Sequence, residues 1–338
     1  MENNEIKKGL VSVITPCYNT GKYVGRLLDS ILRQTYPRIE MFLVDDGSTD
    51  NTKTVVEGYI PLFSKRGYEL TYIYQPNSGQ SAAINNGLKL VTGEYLVWPD
   101  SDDFYASDDA ISRMVNEFVI SANNVGTVRT QELLIEDRFD TINVIRILGK
   151  DAPRTKDRIS LFEDCLFGSN DFYYCPGAYM IKFELFSKLT NREIYVQKDA
   201  GQNLQILLPM LYTYECVTIQ EPLYCVTERQ TSHSRGAYNG CENEIRLRQA
   251  YLNTIIGVFN SMKEMGEQER KEYTYRVQRH SIRLYIDVAI KYNDKKTALS
   301  YSSLLNDKIY LGRKRRLKIW LMKMGILNLA LKLKRIIE

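Results

Sequence analysis

Over its first hundred residues the chain alternates short apolar runs with stretches of helical period, and this alternation restricts the fold more than any other feature. Residues 10–15 (LVSVIT) read as a buried strand. Thr20 stands where it can cap a helix whose apolar residues Val24, Leu27, Leu28, Ile31 and Leu32 recur at helical spacing, ending near Tyr36 and Pro37. Residues 39–44 (IEMFLV) form a second expected strand, followed by a helix from about residue 50 to 63. A third strand covers 70–74, Ser78 or Gly79 opens a helix through Ala82, Ala83 and Leu88, and 95–98 is a fourth strand. Strands and helices alternating at these lengths call for a parallel sheet covered on both faces. In such sheets ligands bind beyond the carboxyl ends of the strands.

Each expected strand ends in groups suited to a nucleotide. After the first, Thr15, Pro16, Cys17, Tyr18 and Asn19 make a proline-shaped turn that exposes backbone donors and an aromatic ring able to face a base. After the second come Asp45 and Asp46, where a carboxylate can accept from a base imide or a ribose hydroxyl, with Gly47 allowing the turn. After the third, Asn77, Ser78, Gly79, Gln80 and Ser81 open a helix whose amino end favours anions. After the fourth come Asp100, Asp102 and Asp103, three acids within four residues. Crowded carboxylates repel unless a cation or solvent relieves them, and Mg²⁺ or Mn²⁺ takes such oxygens while keeping places for substrate phosphates. A solvated acidic turn or a helix cap, with Asp108 and Asp109 close behind, is the competing reading of the same residues.

Residues 11–52 (VSVITPCYNTGKYVGRLLDSILRQTYPRIEMFLVDDGSTDNT), together with NSGQSAAINNGLKLVTGEYLVWPDSDD, resemble the nucleotide-binding half of family 2 glycosyltransferases with the GT-A fold. The resemblance implies an α/β fold, a Rossmann-like and mostly parallel sheet flanked by helices, and inverting transfer from a nucleotide sugar, most often a UDP-sugar. It places Pro16, Tyr18 and Asp46 on base and ribose, Asp100 on ribose or sugar, and Asp102 on the metal, with Mn²⁺ or Mg²⁺ as cofactor. Many members carry arginine where Ile84 stands, so one contact to phosphate or sugar is missing here.

The second half is looser. Residues 175–182 (CPGAYMIK) resemble the segment entering the acceptor side, and 199–209 (DAGQNLQILLP) the helix that carries Glu-Asp in many relatives, its aspartate acting as general base. Gln202 and Asn203 fill that place, and an amide cannot accept the acceptor's proton. Asp199 is the nearest carboxylate; it serves as base or caps the helix. The resemblance also suggests His233 as a late metal ligand, alongside an ordinary loop role, with Arg235 pairing to phosphate in the same loop. His280 reads as structural or solvated.

The remaining residues are expected to be helical over about 243–265 and 268–292, giving a catalytic domain at 1–235 (nucleotide half 10–105, acceptor half 106–235), a helical region at 236–310 and a basic amphipathic helix at 311–338. Residues 311–338 hold nine basic side chains and one acid, leaving 36 basic and 40 acidic residues elsewhere. A mildly acidic body with a basic tail argues against nucleic acid as partner and for a local anionic one. In the tail Lys318, Asn328, Lys332 and Arg335 share one helix face. Leu317, Trp320, Leu321, Met324, Leu327 and Leu331 cover another, which Lys323 and Lys334 interrupt. That pattern suits a helix on an anionic membrane surface or one docked on the protein itself.

No stretch gives the roughly 18 apolar residues of a membrane span, and the first apolar run is too short for a secretory signal. The six cysteines show no close pairing, so reduced thiols and a cytoplasmic location, peripheral on the membrane at most, are expected. The acceptor expected is a saccharide or lipid-linked glycan in surface polysaccharide synthesis. Processive polymer synthesis is disfavoured, because no Gln-x-x-Arg-Trp signature or membrane span accompanies the domain. Two readings compete: a sugar nucleotidyltransferase, for which residues 15–21 would be a poor activating loop, and a degenerate transferase kept as a binding subunit, which Asn203 motivates.

Overall fold

The computed structural model describes residues 5–138, 141–198, 201–228, 239–305 and 308–327. The chain divides into two compact units, residues 1–229 with 257–264, and residues 230–256 with 265–338.

The first unit begins β1 (Lys7–Cys17), α1 (Val24–Leu32), β2 (Ile39–Asp45), α2 (Thr52–Arg66), β3 (Glu69–Tyr74), α3 (Gln80–Leu88) and β4 (Gly93–Val97). Every strand and helix expected in this stretch is present. β1 pairs parallel with both β2 and β4, and β2 pairs parallel with β3. Val11, Val13 and Ile14 of β1 are wholly buried, Ile14 against Gly87 of α3, and Val24, Leu27, Leu28 and Ile31 of α1 are likewise at 0% exposure. Each such side chain contributes about 2 kcal/mol of burial. At the amino ends of the strands a buried carboxylate ties three of them together. Glu40 accepts from Ser12 Oγ (2.5 Å), from Thr92 N and Oγ1 (both 2.8 Å) and from Gly93 N (3.1 Å).

Beyond β4 come β5 (Phe104–Tyr105), α4 (Ala110–Ile120), β6 (Val125–Arg138), β7 (Thr141–Leu148), α5 (Arg158–Phe167), β8 (Tyr179–Lys182), α6 (Phe183–Thr190), α7 (Asn203–Thr213) and β9 (Glu215–Glu228). The sheet order is β3-β2-β1-β4-β8-β6-β9-β5, with β7 beside β6. β8 runs antiparallel to β4 and β6, whereas β9 is parallel to β6. Pairing is thus wholly parallel within the nucleotide half and mixed in the acceptor half.

Two local expectations are corrected. Pro16 lies inside β1, buried and opposite Val44, so the turn starts only at Tyr18. Pairing with β4 ends at Val13, so at Pro16 the strand has β2 alone beside it and the missing N–H is tolerated. The side chain of Thr20 does not cap α1. Its carbonyl accepts from Tyr23 and Val24 instead, which makes residues 20–23 a turn leading into the helix.

The second unit is helical, built from most of α8 (Cys241–Ser261), α9 (Glu267–Lys291), α10 (Lys295–Ser303) and α11 (Lys308–Lys323), the last kinked at Gly312. Ile286 and Ala289 of α9, Ala298 of α10, and Ile319 and Met322 of α11 share its core with Leu327. Buried Glu244 takes two cations, Arg248 Nη2 at 2.9 Å and Lys291 Nζ at 2.8 Å. No helix among the described residues is long and apolar enough to cross a membrane. Cys17, Cys165, Cys216 and Cys225 are buried free thiols.

Candidate active site

Four loops leave the carboxyl ends of β1, β2, β3 and β4, and side chains tie the first to the second and the second to the third. Asn19, at φ +52°, donates its N–H to Ser48 Oγ (2.8 Å) and accepts at Oδ1 from Thr49 N (2.8 Å), stapling the loop after β1 to the one after β2. Tyr18 beside it is 44% exposed, with its ring available to a flat partner. Thr15, by contrast, is wholly buried within β1, and its Oγ1 has no partner.

Asp46 organises the third loop. It is 4% exposed; Oδ1 accepts from Gln75 Nε2 (2.7 Å) and Ser78 N (2.8 Å), and Oδ2 accepts from Gly79 N (2.8 Å). Gly47, at φ +88°, brings this turn so close to Asn77 that a Cβ would lie 2.9 Å from its backbone nitrogen. Gly79, at φ +93°, is the residue preceding α3 and packs against Lys198, whose Cα would be 3.2 Å from an added Cβ. Ser81 is buried on the first turn of α3, accepting from Gln197 N (3.0 Å) and donating to its carbonyl (3.2 Å). Asn85, one turn later, binds both backbone groups of Ile194. Ser81 thus fastens the segment leading to α7 onto α3, and Ile84 between these two residues is wholly buried.

After β4 the chain presents Trp98, Asp100, Asp102 and Asp103. Asp100 and Asp102 are partly exposed, while Asp103 is 5% exposed and accepts from Thr227 N at 2.8 Å on β9. Burial, and then the charges of Asp102 and Asp100, push the Asp103 carboxyl well above the usual range. The three acids are therefore close enough to repel, and they divide by place: two are partly exposed and one braces the sheet.

The amino end of α7 is fixed against this motif by two amides. Gln202 Nε2 donates to Asp100 Oδ1 at 3.1 Å, and Asn203 Oδ1 accepts from the indole N–H of buried Trp98 at 3.2 Å. A carboxylate at 202 would confront Asp100 with a like charge, whereas the glutamine gives it a neutral donor. Asp199, His233 and Arg235 lie outside the described residues.

One acid in this neighbourhood carries no signal in the sequence. Glu132, in the middle of β6, is at 0% exposure, and neither carboxylate oxygen accepts from an N–H or O–H donor. Burial pushes its pKa up to about 8; the Cys175 thiol and the Arg129 guanidinium beside it pull the other way, and Asp100 adds to the rise. Trp98 likewise carries no signal in the sequence, and Gln202 reads there only as an amide in the place of a relative's acid, because the contacts of both join positions more than a hundred residues apart.

The sequence profile described as glycosyl transferase family 2 matches residues 12–190, just over half of the chain. The chain belongs to that family. An uncharacterized glycosyltransferase of Rickettsia typhi is 42% identical over 96 residues, which is 28% of this chain and 28% of that protein. The matched stretch thus spans under a third of that relative's length. Among solved structures, residues 1–349 of S. aureus TarS in complex with UDP-GlcNAc superpose with a TM-score of 0.60 at 16% identity, covering 96% of this chain and 92% of that one. The mannosyltransferase PcManGT of Pyrobaculum calidifontis, in complex with GDP-Man and Mn²⁺, gives 0.51 at 16% identity over 96% of this chain and 87% of that one. At such identity these likenesses establish the GT-A fold for this family 2 chain, and nothing finer.

Proposed function

We propose that this family 2 chain transfers a sugar, with inversion, from a nucleotide diphosphate (a UDP-sugar first among candidates) to a hydroxyl of a saccharide or lipid-linked glycan. The observation that carries the reading is the pair Asp100 and Asp102, partly exposed beyond the carboxyl end of β4, with Asp100 held by Gln202 at the amino end of α7. In support, PcManGT binds a nucleotide sugar with Mn²⁺ and TarS binds UDP-GlcNAc on the same fold.

The residues present fit a divalent cation as half of a site. No three His, Cys, Asp or Glu side chains among the described residues converge to hold a metal by themselves. Two mutually repelling, partly exposed carboxylates nevertheless suit a hard cation that completes its shell with substrate phosphates. Asp102 and Asp100 would hold it, with His233 as a further ligand. Bound there, Mn²⁺ or Mg²⁺ supplies Lewis-acid stabilisation to the departing nucleotide diphosphate.

The chain's own groups do the rest. Tyr18 offers a face to the base, and the Asp46 turn gives the loop carrying Gly79 its shape, so that the amino end of α3 meets negative charge. Thr15 and Pro16 support this wall from within the sheet, and Arg235 pairs with phosphate. Gln202 orients Asp100. Asn203 positions Trp98 instead of accepting a proton, so Asp199 is assigned the acceptor's proton. Asp199→Asn is expected to lower turnover about a hundredfold or more with the affinity for UDP unchanged, as measured by initial rates beside calorimetric titration. Unaltered turnover would remove Asp199 from the reaction.

The overall reading is tested by incubating the chain with a panel of nucleotide sugars, with Mn²⁺ or with chelator. Slow donor hydrolysis is expected with one UDP-sugar and is abolished by chelation. Pyrophosphate released only from a nucleoside triphosphate plus a sugar phosphate would make the chain a nucleotidyltransferase. Nucleotide binding without turnover of any donor would make it a binding subunit.

A further inference from the structure

Helix α11 has two faces with different fates. Ile319 and Met322 enter the core of the helical unit, and Arg315 pairs with Asp287 on α9 (Nε to Oδ1 2.7 Å, Nη2 to Oδ2 2.5 Å). Beyond the kink at Gly312, residues 313, 317, 320 and 324 recur three and four apart, so they line the opposite side. There Leu317, Trp320 and Met324 are 57%, 53% and 60% exposed. The sequence places Leu317, Trp320, Leu321, Met324, Leu327 and Leu331 on one face; Leu327 instead is buried while Leu317, Trp320 and Met324 are not, because the helix docks on its own unit through Ile319 and Met322, and Leu331 lies outside the described residues.

At about 100° per residue, Arg316 and Lys323 flank this exposed stripe on one side and Lys314 and Lys318 on the other, with Arg313 at its start. None of these five makes an ion pair among the described residues, and no acid occurs between 308 and 327. A shallow cavity of about 840 Å³ opens between α10 and α11, with Arg313, Arg316, Lys323 and the hydroxyls of Ser302 and Ser303 on its walls.

We propose that this outward face of α11 is a docking surface for an anionic lipid bilayer. The apolar stripe is narrow enough to enter the headgroup boundary, and long cationic side chains on both flanks reach back to phosphates. A soluble anion would use the cations but not Leu317, Trp320 and Met324. A second copy meeting the same face across a twofold axis would bring five cations against five. The inference is independent of the transfer reaction, and it places the chain where an acceptor carried by lipid would be found.

The full chain is tested with phosphatidylcholine vesicles, with and without phosphatidylglycerol, by co-sedimentation and tryptophan emission. Of the two tryptophans, Trp98 is already wholly buried, so Trp320 alone has water to lose. Expected are sedimentation and a blue shift with the anionic vesicles only, both weakened by salt. Each surface cation contributes about a fivefold factor, so Arg316→Gln with Lys323→Gln should lower partitioning about 25-fold. Leu317→Ser with Met324→Ser should weaken sedimentation as well. None of these four side chains is buried, so folding is retained and circular dichroism confirms it. Three results would overturn the proposal: equal binding to neutral vesicles or none to either, release by inorganic phosphate at matched ionic strength, or a blue shift that grows with protein concentration when no vesicle is present.

Discussion

Asp102→Ala is expected to lower metal-dependent donor turnover about a thousandfold while leaving thermal stability within about 1 kcal/mol of the parent chain. Losing one of two protein oxygens on the cation removes several kcal/mol of transition-state stabilisation, and each 1.36 kcal/mol is a factor of ten. Stability is spared because the Asp102 side chain is partly exposed and sits among like charges, whose repulsion its removal relieves. Its neighbour gives the contrast. Asp103→Ala leaves Thr227 N–H buried without its acceptor, at a cost of about 1–3 kcal/mol, and should destabilise before it inactivates. Steady-state rates beside melting curves separate the two variants. Wild-type turnover in Asp102→Ala at saturating Mn²⁺ would contradict the assignment.

The second large effect is on stability. Glu132 titrates near 4.5 in an ordinary setting and near 8 in the fold, so the folded chain holds its proton over a range in which the unfolded chain has lost it. Stability from this group is complete below about pH 4.5, declines as pH rises, and is lost above about pH 8. Discounted for relaxation, the fall amounts to about 3 kcal/mol, or roughly 5–10 °C in melting temperature. Glu132→Gln has no ionised form to favour unfolding, so its melting temperature should vary less between pH 5 and 8 than that of the parent. Melting curves in chelator across that range decide the matter, and parallel pH profiles for the two chains would show that Glu132 does not titrate as described.

The nucleotide half was legible because its signals are local. A parallel strand covered on both faces is written as a continuous apolar run, and the groups at its carboxyl end follow within five residues, as Asp100 and Asp102 follow Val97. Even there, periodicity could not show that β1 continues through Pro16, since that depends on where β4 stops pairing. The acceptor half was less legible because its contacts join distant positions. Nothing near Glu132 announces a buried acid, and Asn203 reads as a missing base until Trp98, 105 residues earlier, is seen to donate to it. On the tail, a helical wheel shows which residues share a face, but only packing against α9 and α10 shows which face is covered.

The central claim is that the acids after β4 hold a divalent cation against the donor's diphosphate. Anomalous scattering from crystals grown with UDP and Mn²⁺ tests it most directly. Manganese density is expected between the Asp102 and Asp100 carboxylates and the diphosphate, with the uracil beside Tyr18. Manganese or nucleotide bound away from the carboxyl end of β4, or UDP seated there with those carboxylates facing away, would contradict it.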